Sequence, residues 1–130
     1  MRDVIVSSTA EPYAQDIAIG PHSIRADEET EKGGSDTGPG PHELLLAALG
    51  ACTSMTIKGY AARKGWVVRR VAVGLTGASV DGTYVIKRHL TIEGDLEGDQ
   101  RQKLIEIADK CPIHRTLTGP LVINTTEGSA

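Results

Sequence analysis

The sequence predicts a single α+β domain over residues 1–130, with antiparallel sheets packed around one long, buried central helix. Two observations indicate this class. Apolar and polar residues alternate in short segments before residue 26 and after residue 66, which is typical of strands, and one long apolar stretch lies between them. The length of 130 residues, with 39% hydrophobic and 24% charged residues, also fits one globular domain.

The composition disfavours nucleic-acid partners. The chain has three Tyr, one Trp and no Phe, which is too few aromatic residues for a platform on which bases stack. Its 14 basic and 17 acidic residues give a net charge of −3, whereas binding to a phosphate backbone needs clustered cations. We therefore expect no nucleic-acid partner.

The same inspection favours a cytoplasmic protein that does not bind membranes. Residues 1–10 include Arg2 and Asp3 in place of an apolar signal core. The longest apolar run, residues 44–52, is far shorter than the ~20 residues that span a bilayer. Two cysteines are too few to staple a secreted scaffold.

The long helix is predicted from about residue 41 to residue 63. Pro41 suits a first helical turn, and Gly65 supplies a left-handed cap after the basic last turns. Residues 44–52 are apolar on every face, so this helix should be buried all round. Because 130 residues can hardly wrap it, we expect a second copy of the chain to cover one side, with small residues permitting close approach (Ala47, Ala48, Gly50 and Ala51).

The flanking elements are predicted as follows. A three-stranded meander with a turn at Gly20 precedes a glycine-rich loop over residues 31–40, and two strands joined by a turn over residues 77–83 follow the long helix. In the second of these strands Arg88 falls on the apolar face, with Tyr84, Ile86, Leu90 and Ile92. A second helix should begin at an Asp99 N-cap and end at Cys111, before a closing strand over residues 121–125.

The two cysteines admit a structural and a chemical interpretation. Cys52 lies in the middle of the buried helix, where a small core residue is common, and a reactive thiol there would need a nearby cation. Cys111 is predicted at a helix C-terminus, where the partial negative charge raises a thiol pKa. That asymmetry suits a cycle in which Cys52 attacks an oxidant and Cys111 then closes a disulfide, but the spacing alone leaves both interpretations open.

Two motifs in the chain resemble a known family. The run GPGPHELLLAALGACT, residues 38–53, and the later KCPIH, residues 110–114, are similar to the OsmC/Ohr family of osmotically induced and organic-hydroperoxide-resistance proteins. The resemblance covers the chain from about residue 24 to residue 125. It implies an intertwined homodimer with active sites at the subunit interface. We expect no cofactor and no metal.

The resemblance also implies roles for particular residues. Cys52 matches the peroxidatic cysteine and Cys111 the resolving cysteine, with an organic hydroperoxide as substrate and a dithiol such as a lipoylated protein as reductant. Peroxidase members carry a glutamate ten positions before the reactive cysteine, where this chain has His42. Glu43 is one position late and on the opposite side of the helix from Cys52.

The activating cation is left open between three arginines. Arg25 is nearest to the N-terminal position that the family uses, Arg88 is the cation on an apolar strand face, and Arg115 follows Cys111 by four residues. His42 is a further candidate for orienting a cation or relaying a proton. A zinc site combining the cysteines, His114 and one of His22, His42 or His89 is not expected, because no CxxC or HxxxH pair is present.

Two functions follow from these expectations. The first is a homodimeric thiol peroxidase that reduces organic hydroperoxides at Cys52. The alternative is a non-peroxidase OsmC-like redox or small-molecule-binding protein whose thiols are structural or regulatory. A guanidinium within hydrogen-bond reach of the Cys52 sulfur would favour the first.

Overall fold

The computed structural model describes residues 1–128 and has the predicted α+β class. The elements in order are β1 (Val4–Ser8), β2 (Gln15–Ile19), β3 (His22–Ala26), α1 (Pro41–Lys64), β4 (Val67–Val80), β5 (Thr83–Asp95), α2 (Gly98–Ile107) and α3 (Pro112–Thr118). Short 3-10 turns occur at Thr30–Lys32 and Ala108–Lys110. The chain divides into two compact units, residues 1–47 and the part from residue 48 onward, so the prediction of one domain stays a prediction.

The first unit contains the predicted meander and its glycine-rich loop. Strands β1, β2 and β3 form an antiparallel sheet in that order, and Gly20 turns between β2 and β3 with φ of 55°. After β3, the carboxylate of Asp27 accepts hydrogen bonds from the backbone N–H of Glu28 at 2.7 Å and from the N–H and hydroxyl of Thr37 at 3.0 and 2.6 Å. Asp27 therefore ties the start of the loop to a point ten residues later.

The second unit is built on a long antiparallel hairpin of β4 and β5. Asp81 and Gly82 both have positive φ, 50° and 81°, as a two-residue hairpin turn requires. The predicted turn over residues 77–83 is thus shorter than expected, because pairing continues to Val80 opposite Thr83.

The core of this unit lies between α1, α2 and the hairpin. Its buried members are Ile57, Ala61, Leu104, Ile107 and Ala108. Partly buried residues pack against them from the hairpin and its ends: Tyr60, Trp66, Val68, Val71, Leu90, Ile92 and Leu96. The small aliphatic composition is the one that a chain without Phe requires.

Helix α1 is buried on one face in the single chain, so the prediction of burial on every face is wrong at this level. The buried residues are Leu49, Gly50, Thr53, Ile57 and Ala61, whereas Ala47, Ala48, Ala51 and Met55 are exposed. Gly50 serves packing within the chain, because a Cβ there would lie 2.8 Å from Leu75 Cδ1 of β4. By length and composition alone α1 could also cross a membrane, a property shared by core helices of soluble proteins.

Two predictions about the C-terminal part are corrected. Residues 120–128 have no regular structure, and Leu121, Val122 and Ile123 are exposed, so the closing strand does not form within the described chain. Helix α2 begins two residues earlier than predicted, since Glu97 is its N-cap and its N–H donates to Gln100 Oε1 at 2.8 Å.

Candidate active site

Folding brings the two cysteines into contact. Cys52 lies in the middle of α1 and is half-buried, while Cys111 follows the 3-10 turn after α2 and is completely buried. The side chain of Cys52 interacts with the Cys111 thiol and lowers its pKa, and both cysteines are free. The two thiols are therefore neighbours, although 58 residues of chain lie between them.

Cys111 caps the start of a helix, whereas the sequence predicted it at the end of one. Helix α2 ends at Ile107, and Pro112 occupies the first turn of α3, where its missing N–H costs nothing. The Cys111 sulfur accepts a hydrogen bond from the His114 backbone N–H at 3.3 Å. Pro112 starts a new helix, so the Cys111 sulfur lies at a helix N-terminus and not at the C-terminus that the sequence predicted.

The pKa of Cys111 reflects this environment. Burial raises the pKa of the thiol, but the hydrogen bond from the His114 backbone N–H, together with the nearby Cys52 and Thr53 side chains, leaves the pKa below its ordinary value. The prediction that Cys111 has a raised pKa is therefore wrong. The physical reason is that the sulfur faces the N–H groups at the start of α3 and not the carbonyl end of a helix.

Thr53 connects the cysteines to a cation. Its side chain is completely buried, and its hydroxyl donates to the Leu49 carbonyl at 2.7 Å and lies 4.0 Å from the Cys111 sulfur. The same oxygen accepts a hydrogen bond from Arg88 Nη1 at 3.1 Å. One buried hydroxyl thus touches both the sulfur pair and a guanidinium.

Arg88 lies on the inward face of β5, as the alternation of the strand predicted. Its side chain is 13% exposed, and its Nη2 donates to Asp109 Oδ1 at 2.9 Å and lies 3.1 Å from His114 Nδ1. Among residues 1–128 the hydrogen bonds of this guanidinium go to Thr53, Asp109 and His114. The cation therefore reaches the thiol pair through Thr53 in this chain.

A cavity of about 260 Å³ lies beside this network. It is lined by Leu49, Tyr84, Ile86, Arg88, His114, Leu117 and Thr118. Leu49, Ile86 and Leu117 form the apolar part of the wall, and its polar groups come from Arg88, His114 and the side chains of Tyr84 and Thr118. Such a cavity suits a small organic molecule with a polar end.

The other predicted site residues are not part of this network as described. Arg25 is exposed on β3, opposite Asp16 of β2, and His42 is exposed in the first turn of α1; both belong to the first unit. Arg115 is exposed on α3, where its backbone N–H donates to the Cys111 carbonyl at 3.2 Å. Their proposed roles in activating the thiol remain predictions.

Sequence reasoning missed three contributors, namely Thr53, Asp109 and the ring of His114. A local signal existed for each, because Thr53 adjoins Cys52, Asp109 precedes Cys111 by two residues, and His114 belongs to the second motif. Within residues 1–128 no group of three or more His, Cys, Asp or Glu side chains is arranged to hold a metal ion.

Comparison with known proteins now adds the family. A model of the OsmC-like proteins matches residues 33–126, which include both cysteine motifs. The chain belongs to the OsmC-like protein family. No curated protein matches its sequence.

Solved structures show that this OsmC-like protein shares its fold with several relatives. An OsmC-like protein from Mycoplasma pneumoniae is 22% identical with a TM-score of 0.78, over 92% of this chain and 88% of that one. An organic hydroperoxide resistance protein from Vibrio cholerae, with captopril bound in one of its active sites, is 20% identical with a TM-score of 0.67, over 92% and 86% of the two chains. OhrB, the organic hydroperoxide resistance protein of Bacillus subtilis, is 18% identical with a TM-score of 0.64, over 92% and 91%.

Proposed function

We propose that this OsmC-like protein is a thiol-dependent organic hydroperoxide reductase. The observation that carries the proposal is the contact between two free thiols, Cys52 and Cys111, beside a buried hydroxyl and guanidinium. The names of the relatives from V. cholerae and B. subtilis support the same chemistry.

The proposed reaction has two steps at the cysteines. The Cys52 thiolate attacks the outer oxygen of ROOH, so that an S–O bond forms, the O–O bond breaks and RO⁻ leaves and takes a proton to become ROH. The thiolate of Cys111 then attacks the sulfenic acid sulfur of Cys52, which forms the disulfide and releases hydroxide that is protonated to water. Two thiols and ROOH thus give one disulfide, ROH and H₂O.

The surroundings support this division of roles. Cys52 is half-buried and can meet a substrate, whereas Cys111 is completely buried and its pKa is lowered, so that it is prepared to attack a neighbouring sulfenic acid. Arg88 supplies positive charge where RO⁻ develops. The apolar wall of the cavity favours an organic hydroperoxide over hydrogen peroxide.

The cycle closes only with an external dithiol, such as a lipoylated protein, which exchanges with the disulfide and restores both thiols. We further propose that the protein works as a cytoplasmic homodimer, since the cycle needs a compartment that supplies reduced dithiols. The exposed apolar face of α1 supports a second copy of the chain as partner.

Two observations favour the alternative, a redox or small-molecule-binding protein without peroxidase activity. His42 stands where peroxidase members have glutamate, and the hydrogen bonds of Arg88 go to Thr53, Asp109 and His114. In that case the thiols would oxidise no faster than ordinary cysteine.

The two functions separate in a titration of reduced protein with cumene hydroperoxide and, in parallel, with hydrogen peroxide. Thiol loss and disulfide formation are followed by mass spectrometry. We expect one Cys52–Cys111 disulfide per chain, formed faster with the organic peroxide. Cys52→Ser should abolish the reaction, and Cys111→Ser should leave Cys52 as a sulfenic acid that dimedone traps.

A rate no higher than that of free cysteine would overturn the peroxidase proposal and leave the alternative. A Cys52→Ser variant that still reacts at the wild-type rate would overturn the assignment of Cys52.

A further inference from the structure

His114 is the residue that contacts both the sulfur pair and the cation. Its backbone N–H donates to the Cys111 sulfur at 3.3 Å, and its ring Nδ1 lies 3.1 Å from Arg88 Nη2. The ring is 29% exposed and lines the cavity together with Arg88. Its main chain and its side chain therefore face different partners of the same site.

The direction of the ring contact follows from chemistry. A guanidinium has only donors and stays protonated, so the Nδ1 atom of His114 must accept the hydrogen bond from Arg88. Acceptance at Nδ1 requires the tautomer that carries the ring hydrogen on Nε2. Asp109 Oδ1, 3.9 Å from Nδ1, is the other charged group beside the ring and accepts from the same Nη2.

The anchors of Arg88 come from three different elements. Thr53 of α1 holds Nη1, while Asp109 of the 3-10 turn and His114 of α3 hold Nη2. The Asp109 side chain is 68% exposed, so its ion pair is screened by solvent and holds the guanidinium weakly. The three contacts use three of the five N–H donors, which leaves two for a ligand in the cavity.

We propose that His114 is a positioning residue, whose Nδ1 acceptor fixes the guanidinium of Arg88 at the wall of the cavity, where Thr53 connects it to the thiol pair. This inference rests on the proposed peroxide reduction and extends it to a residue that neither the family resemblance nor the sequence motif assigns. Without the acceptor, Nη2 retains only its hydrogen bond to the exposed Asp109. The guanidinium is then free to rotate, and its remaining N–H groups are no longer held in one direction toward the leaving oxygen.

Two amide substitutions test the position of the acceptor. In His114→Asn the side-chain oxygen stands as many bonds from Cβ as Nδ1 does, and in His114→Gln it stands one bond further. The reference for complete loss of the cation is Arg88→Gln. The measurement is the second-order rate of disulfide formation with cumene hydroperoxide. The rate of reaction with 4,4′-dithiodipyridine is the control, because that reaction has no leaving oxygen for Arg88 to bind.

Arg88→Gln should lower the peroxide rate about tenfold or more, the size of effect expected on losing an oriented donor. His114→Gln should fall close to Arg88→Gln, and His114→Asn should stay close to wild type. The dithiodipyridine rate should change little in the two His114 variants, which keep the cation, and should fall in Arg88→Gln because the thiolate loses a neighbouring positive charge. Circular dichroism and thermal unfolding establish that each variant is folded.

Equal rates for the Asn and Gln variants would overturn the positioning role. Failure of the proposed function looks different, because wild type and Arg88→Gln would then both react at the rate of free cysteine. A second measurement needs no variant: long-range ¹H–¹⁵N spectra of reduced wild type should show the His114 ring with its hydrogen on Nε2. A hydrogen on Nδ1 would overturn the inference.

Discussion

Among residues 1–128, Asp27 and Thr53 are the buried polar side chains, and each is fully used in hydrogen bonds. Thr53 accepts from Arg88 and donates to Leu49, whereas Asp27 only accepts. A buried hydroxyl that bridges elements is neutral at every pH. A carboxylate with three donors is not, because it holds them only while it is ionised.

Asp27 should make the stability of the first unit depend on pH. Hydrogen bonds from the hydroxyl and backbone N–H of Thr37 lower its pKa from 3.8 to about 2. Because the folded pKa is below the unfolded one, the stabilisation is complete above about pH 4 and is lost as the pH falls toward about 2. We expect the free energy of unfolding of wild type to exceed that of Asp27→Asn at neutral pH, with the gap closing over this range in urea titrations.

Glu31→Gln is the matched control, since it removes an exposed carboxylate from the same loop. If the difference in the free energy of unfolding between wild type and Asp27→Asn is unchanged at pH 2, the effect does not depend on the ionised carboxylate.

At the scale of elements, α2 has one face in the core and one in solvent. Leu104 is completely buried against the hairpin and α1, while its neighbour Ile105 is 48% exposed. Leu104→Ala should lower the free energy of unfolding by about 2–5 kcal/mol, because it removes buried methyl groups and leaves a cavity. Chemical denaturation measures the difference.

Ile105→Ala on the same helix controls for the change in helix propensity and should cost clearly less than Leu104→Ala. Equal losses for the two variants would mean that the face of α2 is wrongly assigned.

Local signals in the sequence were sufficient for most elements but not for the turn at Cys111. Gly65 has φ of 72° at the end of α1, and alternation placed Arg88 on the inner face of β5. Pro112 was ambiguous, because proline both ends one helix and starts the next, and only the packing of α3 decides which. The predicted closing strand over residues 121–125 does not form, since a strand needs a neighbouring strand to pair with as well as residues of high strand propensity.

The candidate site was predictable only in part, for a related reason. The two cysteines and Arg88 each stood out in the sequence, the first by motif and the last by its place on an apolar face. The contacts of Thr53, Asp109 and His114 with Arg88 join residues 21 to 35 positions apart. No spacing rule relates such residues, so these contacts emerge only from the packing of three elements.

At the scale of the whole molecule, the exposed side of α1 is the feature that the single chain does not explain. Leu45 and Met55 are 37% and 72% exposed, and Ala47, Ala48 and Ala51 lie exposed between them. Helices of soluble proteins ordinarily place polar residues on an exposed face. A contiguous apolar face of this kind marks an interaction surface.

We therefore expect a homodimer that buries this face of α1, with a mass near twice 13.8 kDa in light scattering coupled to gel filtration. Met55→Lys should weaken the dimer about tenfold or more, because a charge would lose its hydration at the interface. Gln102→Lys, a change at an exposed position on α2, should leave the mass unchanged. A wild-type protein that stays monomeric at high concentration would refute the dimer. If Met55→Lys does not weaken the dimer, the interface lies elsewhere on the chain, and the apolar face of α1 contacts a different partner.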